Sequence, residues 1–156
     1  MESKKKIEDL WQKFLDSLPE GTELPGKYEA WYFCDNEKDA DELAGLVLAG
    51  IKTATCGMIW EYEADEDELP VVGDYGIITK WSGEPVCIVK TTDVQIKAFN
   101  EVTEQQAYGE GEGDRSLAYW RKIHWEVFSR YCTNLDKEPS ETMPLVCEKF
   151  EVVFKG

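Results

Sequence analysis

The chain reads as an α+β protein, a small β-barrel or curled sheet with flanking helices. Two observations predict this. Apolar residues recur at helical spacing near the amino terminus, again around positions 40–48, and again after position 116. Between and after these stretches lie short aromatic-rich or alternating runs bounded by turn residues, without the regular strand–helix–strand succession of a parallel sheet.

Ile7, Leu10, Trp11, Phe14, Leu15 and Leu18 form the first stripe, which Pro19-Glu20-Gly21 stops, so a helix is expected over 4–18. Lys27 to Cys34 is short and aromatic, as a strand is, and Asp35-Asn36 offers a cap for the next helix. That helix carries Ala40, Leu43, Ala44, Val47 and Leu48 and closes at Gly50. Lys52 to Ile59 is expected to be extended, and the acidic run Glu61 to Glu68 to be a solvated loop. Tyr75 to Trp81 and Val86 to Ala98, joined by Ser82-Gly83-Glu84-Pro85, form a hairpin.

Thr103 to Tyr108 predicts a short helix. Ser116 or Asp114 then caps a longer one whose inner stripe is Leu117, Trp120 or Arg121, His124, Phe128 and Tyr131. Pro144 to Phe154 supplies a closing strand. A single domain over 1–156 is expected, with its core from about residue 27.

Composition narrows the functional classes. Seventeen basic against 32 acidic residues leave a net charge of −15, and four of the basic ones (Lys4, Lys5, Lys6, Lys13) lie in the first helix. Such a field repels a polyanion, which argues against duplex DNA and favours a small ligand over long RNA. No apolar run nears the roughly 18–20 residues that cross a bilayer, and no signal-peptide core follows the amino terminus, so a cytoplasmic, membrane-free protein is expected. Five scattered cysteines without a Cys-x-x-Cys, and a single histidine, indicate neither a disulfide framework nor a zinc site; the thiols are expected to be buried and reduced.

Three segments carry chemistry. In Gly50-Ile51-Lys52-Thr53-Ala54-Thr55, strand alternation puts Thr53 and Thr55 on one face, with Lys52 at the mouth of any cavity Thr55 lines. A partly desolvated lysine can take a proton from a nucleophilic threonine. By spacing alone, a surface lysine and ordinary strand threonines fit as well.

In Glu110-Gly111-Glu112-Gly113-Asp114 three carboxylates alternate with glycines before a helix, a chain that can pass close to a ligand and serve it as general acid or base. The same residues also suit a flexible linker that favours the helix amino terminus. The segment lacks the calcium-loop pattern, and no metal is expected. Arg121 and His124, one turn apart, suit phosphate or carboxylate recognition, or a structural pairing with Glu110 or Glu112. Trp60 and Trp81 are the expected exposed aromatics. Gly-x-Gly-x-Gly here is carboxylate-rich, and there is no Walker loop, so nucleoside triphosphate hydrolysis and a bound cofactor are not expected.

Taken together, residues 48–55, Val72-Gly73-Asp74, and Glu110 to Leu117 followed by Trp120-Arg121 and His124 resemble the ASCH domain family. The carboxyl-terminal motif is similar to its YhfF-like branch, and the resemblance runs from about Trp31 to Phe154. It implies a PUA-like small β-barrel with a cleft beside Gly-x-Lys suited to RNA or a nucleoside.

One member of the superfamily is an amidohydrolase of an acylated cytidine; its catalytic set falls on Lys52, Thr55 and Glu110, with Glu112 the alternative. A member described as a ribonuclease points instead to Lys52 and Ser116, and other relatives are regarded as RNA-binding modules. Cys56 stands where many relatives have a basic residue, and an acidic loop lies nearby; both oppose a polymer. The resemblance therefore implies a nucleoside-like small molecule or short single-stranded RNA as partner. Lys52, Thr55, Glu110 and Glu112 are the expected catalytic groups, and Gly50, Thr53, Asp114, Ser116, Arg121 and His124 the expected ligand contacts.

Overall fold

The computed structural model describes residues 2–156. In chain order the elements are α1 (Glu2–Ser17), β1 (Glu29–Trp31), α2 (Glu37–Leu48), β2 (Ala54–Met58), α3 (Ile59–Ala64), β3 (Tyr75–Thr79), β4 (Pro85–Ala98), a 3-10 turn (Phe99–Glu101), α4 (Glu104–Glu110), α5 (Leu117–Asn134) and β5 (Pro144–Phe154). The sheet runs β1-β3-β4-β5-β2; β1 lies parallel to β3 and every other pair is antiparallel. Long strands β4 and β5 are its spine, and register shifts at Ile88/Val89 and Thr91/Asp93 interrupt their pairing. Such bulges sharpen the local twist, and the sheet curls into a half-barrel.

Strand alternation sorts the core into layers. Ile77 and Ile88 face α1, where Trp11 and Phe14 cover them; their neighbours Ile78, Cys87 and Val89 point the other way, onto Phe33, Ala44, Val47 and Phe150. Each of these large apolar side chains gains about 1.5–3 kcal/mol from burial. At the far end of the sheet, Leu145 and Cys147 of β5 and Met58 of β2 pack under α4 and α5 through Ala107, Trp120 and Phe128. This last layer holds the site. Among the described residues no helix is long and apolar enough to cross a membrane.

Most elements fall where the pattern puts them, including β5, whose bounds match, and the cap at Asn36, whose side chain accepts from Asp39 N–H. Three expectations need correcting. The strand expected over 27–34 is only Glu29–Trp31, because β1 is an edge strand with three register partners on β3, and Cys34 turns the chain at φ 65°. The first helix begins at Glu2, two residues earlier than the expected start at residue 4.

The acidic run is not all solvated loop. Its first part belongs to α3, where Tyr62 packs against Gly57 and Glu61 is half-buried. Trp60 likewise packs against the α5 core layer, with Lys137 Nζ 5.1 Å from its ring, whereas Trp81 is 40% exposed and meets Tyr32 at 4.8 Å.

Burial, reinforced by Asp65 and Asp35, pushes the Glu61 carboxyl up from 4.5 to about 7. A carboxyl raised by folding contributes stability fully present below its unfolded value and lost as pH rises through its folded value. Glu61→Gln is therefore expected to stabilise the fold by ~1 kcal/mol near pH 8, a figure discounted for the group's exposure, and to change little near pH 5. Urea denaturation of both proteins at the two pH values checks this.

Candidate functional site

Two chain segments distant in sequence run side by side to build the site. After α2, Gly50 takes the left-handed conformation (φ 79°), and the N–H groups of Ile51 and Lys52 both reach back to Leu46 O, at 2.9 and 3.1 Å. The chain then meets the end of α4, where Thr53 N–H donates to Gly109 O at 2.7 Å. Gly111 ends α4 with φ 75°; a Cβ there would lie 3.0 Å from the Ile51 carbonyl oxygen. Glycine is needed at 111 for both conformation and space.

This turn drives Lys52 inward. The expectation of a lysine at a cleft mouth is corrected: the residue is 2% exposed. Its Nζ donates to Ala54 O (3.0 Å) and Glu110 O (3.3 Å), lies 3.7 Å from Glu110 Oε1 and 3.9 Å from Glu112 Oε2, and sits 5.1 Å from the centre of the Phe33 ring. Every polar partner is an acceptor, so Lys52 acts here as a donor.

Helix α5 supplies the second nitrogen group facing the carboxylates. His124 Nδ1 is 2.9 Å from Trp120 O, which can only accept, so Nδ1 carries a proton and Nε2 faces the carboxylates, 3.4 Å from Glu110 Oε1 and 3.8 Å from Glu112 Oε2. The imidazole stacks on the Trp120 indole at 4.3 Å and 16°. Burial favours its neutral form, but Glu110 and Glu112 outweigh this and raise its pKa above 6.5.

The two glutamates differ. Glu110 is fully buried, and its Oε2 accepts from the Trp120 indole N–H and from Gln106 Nε2 at 3.5 Å. Burial alone would push its carboxyl up; His124 and Lys52 more than reverse that and hold it down at about 2. The Glu112 side chain is 21% exposed, and there burial, helped by Glu110 and Asp39, prevails over Lys52 and His124 and raises the carboxyl. One carboxylate is held in its ionised form; the other is partly open, with its pKa raised.

Ligand atoms of Glu110, Glu112 and His124 lie within 4.8 Å of one another, a spacing compatible with a metal triad. The Lys52 ammonium already supplies positive charge to both carboxylates, and an added cation would meet its repulsion.

Of the expected site residues, Lys52, Glu110, Glu112 and His124 come together. Gly50 and Thr53 shape the approach rather than line it, and Thr53 is exposed. Ser116 is the cap of α5, its Oγ accepting from Tyr119 N–H, and the exposed Asp114 accepts from Ser116 N–H at 2.9 Å; both serve the helix start. Arg121 is exposed, because the 100° step per residue carries it off the face bearing Trp120 and His124. Thr55 does not join the cluster. It pairs in register with Glu148, whereas Cys56 pairs with Cys147 on the α4–α5 side, and adjacent strand residues face opposite ways.

Gln106 and Phe33 escaped the sequence reading as site residues, and Trp120 entered it only through the α5 stripe and the family motif. A signal for two of them existed: Gln106 precedes Glu110, and Trp120 precedes His124, by one helical turn.

The ASCH domain family model matches residues 29–154. The chain belongs to the ASCH domain family. The crystal structure of an ASCH domain from Lactobacillus crispatus is 37% identical, with a TM-score of 0.91 over 96% of this chain and 95% of the other. A protein from Enterococcus faecalis is 34% identical, with a TM-score of 0.86 over 97% of this chain and 90% of its own. The hypothetical protein PH0355, 18% identical with a TM-score of 0.52 over 82% of this chain and 100% of its own, shares the fold alone. No curated protein matches the chain. ASCH domains have a PUA-like fold often linked to RNA binding.

Removing Glu110 takes the buried counter-charge from Lys52 and a carboxylate partner from His124. Glu110→Gln is expected to cost about 3–5 kcal/mol in denaturant unfolding. In the variant, the NMR titration midpoint of the single histidine is expected to fall, since burial then opposes its charge with only Glu112 to offset it. In the parent protein, Glu110's contribution is present above pH 4.5 and lost as pH falls through about 2. His124's is full below pH 6.5 and lost as pH rises through its raised folded value.

Proposed function

We propose that the Lys52, Glu110, Glu112 and His124 cluster recognises a nucleobase- or nucleoside-like small molecule and hydrolyses an amide on it. The observation that carries this reading is the pairing of two buried donors, Lys52 and His124, with one partly open carboxyl of raised pKa, Glu112. A partly open carboxyl with a raised pKa, set beside two donors, is suited to take a proton and return it.

In this reading Glu112 removes a proton from a water that attacks the acyl carbon. Lys52 Nζ–H and His124 Nε2–H stabilise the oxyanion of the tetrahedral intermediate, and Glu112 then delivers its proton to the departing amine. Glu110 stays ionised throughout and holds Lys52 and His124 in place. Water takes the nucleophile's part because Thr55 faces the other side of β2. A net charge of −15, with Asp39 acting on Glu112, supports an uncharged ligand over a phosphorylated one.

The test is incubation of the purified chain with N-acylated cytidines and with their 5′-phosphates, following release of free amine. Hydrolysis of the nucleoside is expected to fall roughly 10²–10⁴-fold in Glu112→Gln, to fall in Lys52→Met, and to stay within a few-fold in Thr55→Val. No amine release from any acylated nucleoside would sink the hydrolase reading. Tight binding of short single-stranded RNA that weakens steeply with added salt would replace it with an RNA-binding one.

A further inference from the structure

On the α4–α5 side of the sheet, Cys56 of β2 and Cys147 of β5 lie directly opposite each other. Phe150 N–H donates to Thr53 O at 3.0 Å, which marks residues 53 and 150 as a hydrogen-bonded position. Counting along the antiparallel ladder, residues 56 and 147 are then a non-hydrogen-bonded pair, the kind in which Cα atoms approach to about 4.5 Å and side chains come closest. Disulfides form across Cα separations of about 4.4–6.8 Å.

The two sulfurs are 3.1 Å apart, and both cysteines are free. Cys147 is buried and Cys56 half-buried. Gln106 Nε2 joins this pair to the site: it lies 3.4 Å from Cys56 Sγ, 3.2 Å from Thr55 O and 3.5 Å from Glu110 Oε2.

We propose that Cys56 and Cys147 are a reversible modification site, a dithiol that a small peroxide converts to a cross-strand disulfide and whose state reaches Glu110 through Gln106. The Cys56 thiolate, less buried than its partner, attacks the peroxide O–O bond; a sulfenic acid forms and one oxygen leaves as water. The Cys147 sulfur then attacks the Cys56 sulfur, the S–S bond forms, and the sulfenic oxygen leaves as a second water. Two thiols and one hydrogen peroxide yield one disulfide and two waters, with the sulfur pair oxidised by two electrons and the peroxide reduced by two.

Burial, then Cys147 and Glu110, push the Cys56 thiol up, so the step accelerates as pH rises. Drawing Cys56 Sγ towards Cys147 removes one of Gln106's partners and alters its hold on Glu110. A thiol reductant reverses the change. This site stands independently of the hydrolase reading.

The experiment treats the full chain with hydrogen peroxide, alkylates the remaining thiols and maps the peptides, while NMR follows the one histidine. Expected are a linked peptide joining Cys56 to Cys147, loss of two of the five free thiols, a shift of the His124 resonance, and recovery of all three with dithiothreitol. The linked peptide is expected to vanish in Cys147→Ser and to persist in Cys34→Ser. Oxidation of Cys34 without the linked peptide, or linkage only after unfolding, overturns the site. A linked peptide with an unmoved His124 resonance overturns the coupling to Glu110. Mapping of the parent protein decides the matter even if a variant fails to fold.

Discussion

A buried ammonium organises this end of the molecule. Lys52 is 2% exposed, and an unpaired charge at such a place costs many kcal/mol. The surrounding structure answers that cost group by group: two backbone carbonyls accept from Nζ, Glu110 supplies a buried counter-charge, Glu112 a second and more open one, and the Phe33 ring closes one side. Glu110 in turn requires its own donors, which come from Trp120 and Gln106, and its remaining oxygen also faces His124. Each helix that touches Lys52's partners is thereby tied to the others.

Backbone geometry makes the cluster possible. The left-handed turn at Gly50, the short bond from Thr53 to Gly109 and the glycine contact at Gly111 bring a segment near residue 52 against one near residue 110. Residues 120, 124 and 128 then share one face of α5, so the helix that covers the core layer also delivers His124 and the indole beneath it. Packing and site are built from the same stripe.

Such an arrangement is an expensive way to fill a core. Apolar side chains of similar volume are often as stable or more so than a buried ion pair, whereas removing a single partner is costly. Four ionisable groups lie within reach of one another, with one carboxyl held low and its neighbour raised, and the proposed function draws on that arrangement. The same layer holds a cross-strand thiol pair, and the Gln106 side-chain amide lies within reach of both Cys56 Sγ and Glu110 Oε2.

Periodicity by itself determined much of this protein. Apolar stripes placed α1, α2 and α5, and alternation placed the β3–β4 hairpin and β5, whereas Lys52, Glu110 and Glu112 were singled out by the family resemblance that Gly-x-Lys and the glycine-spaced glutamates carry. Those features are local, so their spacing shows in one dimension. What only the tertiary structure decided was which side each group faces and what lies across from it. Alternation relates Thr55 to its strand neighbours but not to the helices, so its turning away from Lys52 depends on β2 pairing with β5. Likewise, Arg121 and Trp120 compete for one stripe until α5 is docked. The depth of Lys52, and the opposite shifts of two glutamates two residues apart, arise from charges and desolvation contributed by four separate segments of chain, and no single stretch of sequence contains that sum.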